Sequence, residues 1–299
     1  MLGELDDILE RLQDALGPLA GEPVALDGGI TNRNIRVALG GGDYVVRRPG
    51  KDTRLLGIDR SAELAANEAA AALGIAPAVA AFIDGCLVTE FVACRSLQPG
   101  ELAGAAAEIG ATLRAFHDSG VALSTRFWVP DLLDDYAAIV LRSAGELPGD
   151  YDEARAAATA IAAALSPQPS RPCHNDLLAG NVIRQSASGR LMLVDWEYAG
   201  IGDARFDLGN VSVNNGFDER ADERLLTAYY DERPTDARRA ALRLMRVMSD
   251  AREAAWGVVQ GAISELEFDF AAYAKEHFER LRETVARREF DDWLAAVAR

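Results

Sequence analysis

The chain has 299 residues, enough for one large or two modest domains, and its 49% apolar and 26% charged residues are ordinary for a soluble globular enzyme. A formal net charge of −16 argues against nucleic-acid or anionic-membrane binding, which need a basic surface, and is compatible with a cationic substrate. No apolar run approaches the ~18 residues of a membrane span, the acidic first ten residues do not read as a signal peptide, and the scattered Cys86, Cys94 and Cys173 read as reduced thiols without metal-type spacing. A cytoplasmic protein is expected.

In chain order, Leu2, Leu5, Ile8, Leu9, Leu12 and Leu16 fall at helical spacing and predict an amphipathic helix ended near Gly17-Pro18. Ile35 to Val37 and Tyr44 to Arg47 alternate like strands about the turn Gly40-Gly41-Gly42. An Ala-rich helix is expected from Arg60 to Leu73, closed by Gly74. Phe82-Ile83 and Leu87 to Val92 read as a hairpin turned at Asp84-Gly85. From Glu101 the pattern turns helical: Leu102–His117, Leu132–Ser143, Tyr151–Leu165, Phe206–Asn214, Glu219–Tyr230, Ala237–Glu265 and Phe268–Arg287. The expected architecture is α+β and bilobal, with a small β-rich lobe over residues 1–94 and a larger, mainly helical lobe over 95–299.

The most informative stretch is His174-Asn175-Asp176-Leu177-Leu178-Ala179-Gly180-Asn181, followed by Asp195-Trp196-Glu197. Val182 to Arg184 and Leu191 to Val194 read as two strands joined at Ser186 to Gly189, a hairpin that would return Asp195 to the mouth of the loop. Phosphoryl transfer in kinases uses an Asp beside the acceptor hydroxyl, then a metal-binding Asn, then a second metal-binding Asp, and this spacing fits that order. Upstream, the loop Gly28 to Asn34 lies between strands where a slim backbone could close over phosphates. Arg47 ends a strand where a basic residue could meet them, with Glu63, or failing that Glu68, as its ion-pair partner.

The strings DGGITN, VVRRPG, GIDR, LGIAPAV, LVTEF, HNDLLAGN and LVDWEYAGIGDARFDLGN, in this order, resemble the choline/ethanolamine kinases, within the aminoglycoside-phosphotransferase branch of the protein-kinase-like fold. The resemblance runs from about Gly28 to about Glu279. It implies ATP and Mg²⁺ as cofactors and transfer of a phosphoryl group to a small amino alcohol, choline or ethanolamine. It implies Asp176 as general base and Asn181 and Asp195 as magnesium ligands. Gly29, Thr31, Asn32, Arg47 and Glu63 would serve the nucleotide, with the backbone of Thr89, Glu90 and Phe91 reading the adenine edge. Glu197 would assist the metal or the substrate, Asp207 would brace the catalytic loop, and His117 and His174 would pack.

The acceptor site is less complete. Eukaryotic choline kinases hold a trimethylammonium against aromatic faces supplied by a WGxW and a FGYxxY string. Here the first reads Trp256-Gly257-Val258-Val259 and the second Phe268-Asp269-Phe270-Ala271-Ala272-Tyr273, so one Trp is lost and the final Tyr kept. Phe217 stands near a further family aromatic, and Asn214 takes the place of a frequent acid. Trp256, Tyr273, Phe217 and Glu197 are the expected substrate contacts. A kinase of another hydroxylated molecule, such as an aminoglycoside or sugar, and a catalytically silent nucleotide-binding protein remain alternatives.

Overall fold

The computed structural model describes residues 2–26, 33–50 and 53–298. Two compact units emerge. The first comprises the chain up to Leu97 with 121–125 and 180–199; the second comprises 98–120, 126–179 and 200–299.

In the first unit, helix α1 (Leu2–Leu16) precedes strands β1 (Val24–Leu26), β2 (Arg33–Leu39), β3 (Gly42–Arg48), β4 (Val79–Ile83) and β5 (Cys86–Glu90), with helix α2 (Arg60–Ala72) between β3 and β4. The five strands form one antiparallel sheet in the order β1-β2-β3-β5-β4. Alternation decides its inner face: Val37, Leu39, Val46, Ile83 and Val88 are buried with Ile8, Leu9 and Leu12 of α1. The β4–β5 turn uses left-handed backbone at Asp84 (φ 51°) and Gly85 (φ 79°), the conformation a two-residue hairpin turn requires. Strand β6 (Cys94–Ser96) joins β8 (Val182–Gln185) and β9 (Leu191–Leu193) in a three-stranded sheet.

The second unit holds helices α3 (Pro99–Gly104), α4 (Ala106–His117), α5 (Val129–Arg142), α6 (Asp150–Ala164), α7 (Arg205–Asn214), α8 (Glu219–Tyr230), α9 (Asp236–Ile263), α10 (Phe270–Val285) and α11 (Glu289–Val297), with the short pair β7 (Arg171–Cys173) and β10 (Gly200–Gly202). The 28-residue α9 is the hub, touching α5, α6, α7, α10 and α11. The single helix expected over 102–117 is two, because the chain breaks at Ala105, whose N–H is shared between Glu101 O and Leu102 O, both at 3.0 Å. Among the described residues no helix is long and apolar enough to cross a membrane.

Candidate active site

In the first unit, Asp59 starts α2 by accepting the amides of Ser61 and Ala62 at 2.7 and 3.2 Å. That cap sets Arg60 and Glu63 in the first turn. Arg47 on β3 approaches Glu63 (Nε to Oε1, 3.2 Å), Glu197 (Nη2 to Oε2, 3.5 Å) and, most closely, Asp195 Oδ1. Arg60 Nη1 completes the cluster at 2.7 Å from Glu63 Oε2 and 3.3 Å from Glu197 Oε2. Glu63 is therefore the partner of Arg47, and Glu68 faces solvent. Burial alone would lower the Arg47 pKa, but Asp195, Glu197 and Glu63 together hold it above the ordinary guanidinium value. Burial, with Asp195 nearby, pushes Glu197 up. Among the described residues, three carboxylates thus face two guanidinium groups.

The β8–β9 hairpin carries Asn181 and Asp195 at its two ends. Val182 pairs with Leu193, and Val194 N donates to Asn181 O at 3.0 Å, so the ends are tied together. Asp195 takes a left-handed backbone (φ 70°), uncommon for a residue with a Cβ and frequent at functional sites. Thr89 and Glu90 end β5, where Thr89 pairs with Val45 and Glu90 with Tyr44. The amide of Glu90 donates to Ala78 O and that of Phe91 to Asp43 O, both at 2.8 Å, so these two donors serve backbone pairing rather than a ligand. The Arg36 guanidinium lies 4.1 Å from the Phe91 ring centroid. Gly29, Thr31 and Asn32 lie outside the described residues.

In the second unit, Asp207 on α7 accepts His174 N at 2.8 Å and Asn175 N at 2.7 Å, and contacts His117 Nε2 at 2.9 Å. Three residues on, Asn210 Oδ1 accepts Leu177 N at 2.6 Å, and Asn215 Nδ2 donates to Leu177 O at 3.0 Å. One helix thereby holds the backbone on both sides of Asp176, and Asn175 is fixed at φ 67°. His174 Nδ1 faces the Asp176 amide at 3.2 Å, a loop-packing contact as expected. His117 does more than pack, since its Nδ1 also meets the Tyr229 hydroxyl at 2.9 Å. Burial and the nearby Asp207 push the Cys173 thiol well above its ordinary value, which disfavours the thiolate that a cysteine nucleophile needs.

Trp256 on α9 and Tyr273 on α10 come together with ring centroids 5.5 Å apart and planes at 70°. Phe268 and Phe270 extend the aromatic group, and His277 lies 4.6 Å from the Tyr273 ring. The Tyr273 hydroxyl donates to Glu253 Oε2 at 2.9 Å. Phe217 is buried just before α8, its carbonyl 3.4 Å from Arg246 Nη1. Glu197, expected among the substrate contacts, lies in the Arg47 cluster of the first unit.

The sequence pattern of the phosphotransferase enzyme family matches residues 22–242. The chain belongs to that family. Its fold is similar to the crystal structure of a choline/ethanolamine kinase family protein from Mesorhizobium loti, with TM-score 0.81 and 31% identity over 98% of this chain and 99% of that one. Among curated relatives, it is 30% identical over 124 residues to ethanolamine kinase 2 of Mus musculus, covering 36% of this chain and 32% of that protein. It is 26% identical over 218 residues to protein LicA of Haemophilus influenzae, covering 70% of this chain and 63% of LicA. The alignments thus span less than two-thirds of the length of these two curated relatives.

In this family member, two further residues, Arg252 and Glu253, were not foreseen from the sequence. Arg252, 2% exposed, places Nη1 3.1 Å from Asp176 Oδ1 and 2.8 Å from Glu253 Oε1. The available signal was helical spacing: Arg252 sits one turn before Trp256 and one turn after Met248, on an otherwise mainly apolar face.

Proposed function

We propose that the chain is an ATP- and Mg²⁺-dependent small-molecule kinase that transfers the γ-phosphoryl group to the hydroxyl of a small amino alcohol, choline or ethanolamine. The observation that carries this reading is the grip of Asp207 and Asn210 on the backbone of His174, Asn175 and Leu177. Phosphoryl transfer through a loose transition state asks the protein chiefly for positioning and charge. A carboxylate on a braced loop answers the first need. Asp176 accepts the proton of the acceptor hydroxyl, and Arg47, held by Glu63, meets the nucleotide phosphates.

Asn181 and Asp195 offer oxygen donors from the two ends of one hairpin, a set that suits a hard divalent cation. The carboxylate excess around Arg47 supports the same assignment. When bound there, magnesium neutralises charge on the phosphates. The resemblance assigns Gly29, Thr31 and Asn32 to the phosphates, and the adenine is read by carbonyl groups near Thr89 to Phe91, since two amides there are engaged. Trp256 and Tyr273 form an aromatic corner for the acceptor's cationic end, with Phe217 as a further candidate contact.

The test is ADP release with Mg·ATP across choline, ethanolamine, their methylated intermediates and several aminoglycosides, with Asp176→Asn as the blank. Turnover on an amino alcohol is expected. Turnover on aminoglycosides alone overturns the acceptor class, and silence across the panel together with no ATP binding overturns the kinase reading.

A further inference from the structure

Arg252 is a buried charge on a helical face whose neighbours Met248, Ser249, Ala255, Trp256 and Val259 are all buried and, Ser249 apart, apolar. An aliphatic side chain would satisfy such packing without the desolvation a guanidinium suffers. The charge is instead paired on two sides, with Asp176 at 3.1 Å and Glu253 at 2.8 Å. Asp250, two residues earlier, does not compete for it, being held by Arg280 Nε at 2.7 Å and His277 Nδ1 at 3.1 Å.

We propose that Arg252 is a positioning residue for the transfer: its guanidinium fixes Asp176 Oδ1, so the carboxylate meets the acceptor hydroxyl as an anion in one orientation, and Glu253 in turn fixes Arg252. This rests on the reading of Asp176 as the acceptor-side base. The charged and titratable groups around the carboxylate come from several elements. Among the described residues, its own loop supplies His174, α9 supplies Arg252 and Glu253, α10 supplies Tyr273, with His277 beyond it against the Tyr273 ring, and α5 supplies Tyr136. Burial pushes the Tyr136 hydroxyl up to about 12 and raises Tyr273 as well, so both stay neutral through the working range. Glu253 is the second carboxylate on Arg252. Burial would raise it, but Arg252, His277 and Tyr273 hold it below its ordinary value.

Two substitutions in the full chain separate positioning from simple packing. Arg252→Gln keeps an amide donor and removes the cation; Glu253→Gln keeps an acceptor for Arg252 and removes an anion. With saturating Mg·ATP, the acid limb of kcat/KM for the acceptor should move up by about one pH unit in Arg252→Gln and move down in Glu253→Gln. kcat in Arg252→Gln should fall about tenfold or more while the nucleotide KM stays within about twofold, and Arg252→Lys should recover part of the loss. A purely structural role predicts loss in both variants with the acid limb unmoved, and that result, or limbs moving in the same direction, overturns the proposal. Melting curves check that each variant folds, and Glu253→Gln with Arg252→Lys carry the test if Arg252→Gln does not. Should no acceptor in the panel turn over, the amino-alcohol reading fails separately. The carboxyl ¹³C resonance absent from Asp176→Asn then reports the same opposite shifts without any turnover, and their absence rejects the role given to Arg252.

Discussion

Asp207 is fully buried, accepts two backbone amides and contacts His117. Burial alone would raise its carboxyl, yet the bonds from His117 and His174 hold it below the ordinary carboxylate value. A depressed folded-state value contributes stability that is present above the unfolded value, about 4, and is lost as pH falls through the folded one. Asp207→Asn should therefore cost on the order of 3 kcal/mol at pH 7, and the gap to the parent should narrow in urea melts at pH 3. A gap that does not change with pH would assign the cost to geometry rather than charge. Asp176→Asn should behave differently, keeping nucleotide binding by calorimetry and losing at least about a hundredfold in turnover. Asp176, Asn181 and Asp195 could be singled out as candidates because they are close in sequence and their order fits the proposed chemistry. Arg252 and Glu253 could not be, and Asn210 was visible only as the end of the FDLGN string, without its bond to Leu177. Arg252 and Glu253 come from a helix far along the chain, where a charged pair gives no local sign of the loop it will meet.

At the scale of elements, close helix packing is set by small residues. A Cβ on Gly209 of α7 would lie 2.5 Å from the Met245 backbone carbon and Cβ on α9. Gly209→Ala should destabilise by about 1–3 kcal/mol through this overpacking. Because α7 also carries Asp207 and Asn210, the displaced helix should lower kcat more than the nucleotide KM. A stable Gly209→Ala with unchanged kinetics would mean that α7 and α9 yield without disturbing the loop. Most elements followed from periodicity: α8 runs from Glu219 to Tyr230 as its apolar spacing and the Asp218 cap require, Asp218 accepting Ala221 N at 2.8 Å. The break at Ala105 and the final helix α11 did not follow. No proline or capping side chain marks the first, and α11 is a nine-residue segment whose burial falls mainly on Phe290 and Val297.

For the molecule as a whole, charge would set the terms of the proposed nucleotide binding. A chain of net charge −16 repels a polyanion at long range, and within the first unit Arg47 and Arg60 are outnumbered by Glu63, Asp195 and Glu197. Under the proposed function, ATP alone would bring more negative charge to a cluster in which, among the described residues, carboxylates already outnumber guanidinium groups. The magnesium complex brings compensating charge with it. Mg·ATP at about a hundred times its Kd should raise the melting temperature by the equivalent of about 3 kcal/mol, whereas ATP with a chelator should raise it far less. Asp195→Ala should remove most of that magnesium dependence, because it deletes a proposed ligand and leaves Arg47 paired with Glu63 and Glu197. Arg47→Met should weaken ATP with and without the metal. An equal shift for ATP with and without magnesium in the parent chain would mean that the carboxylate excess serves only to hold Arg47 in place, and Asp195 would lose its role as a metal ligand.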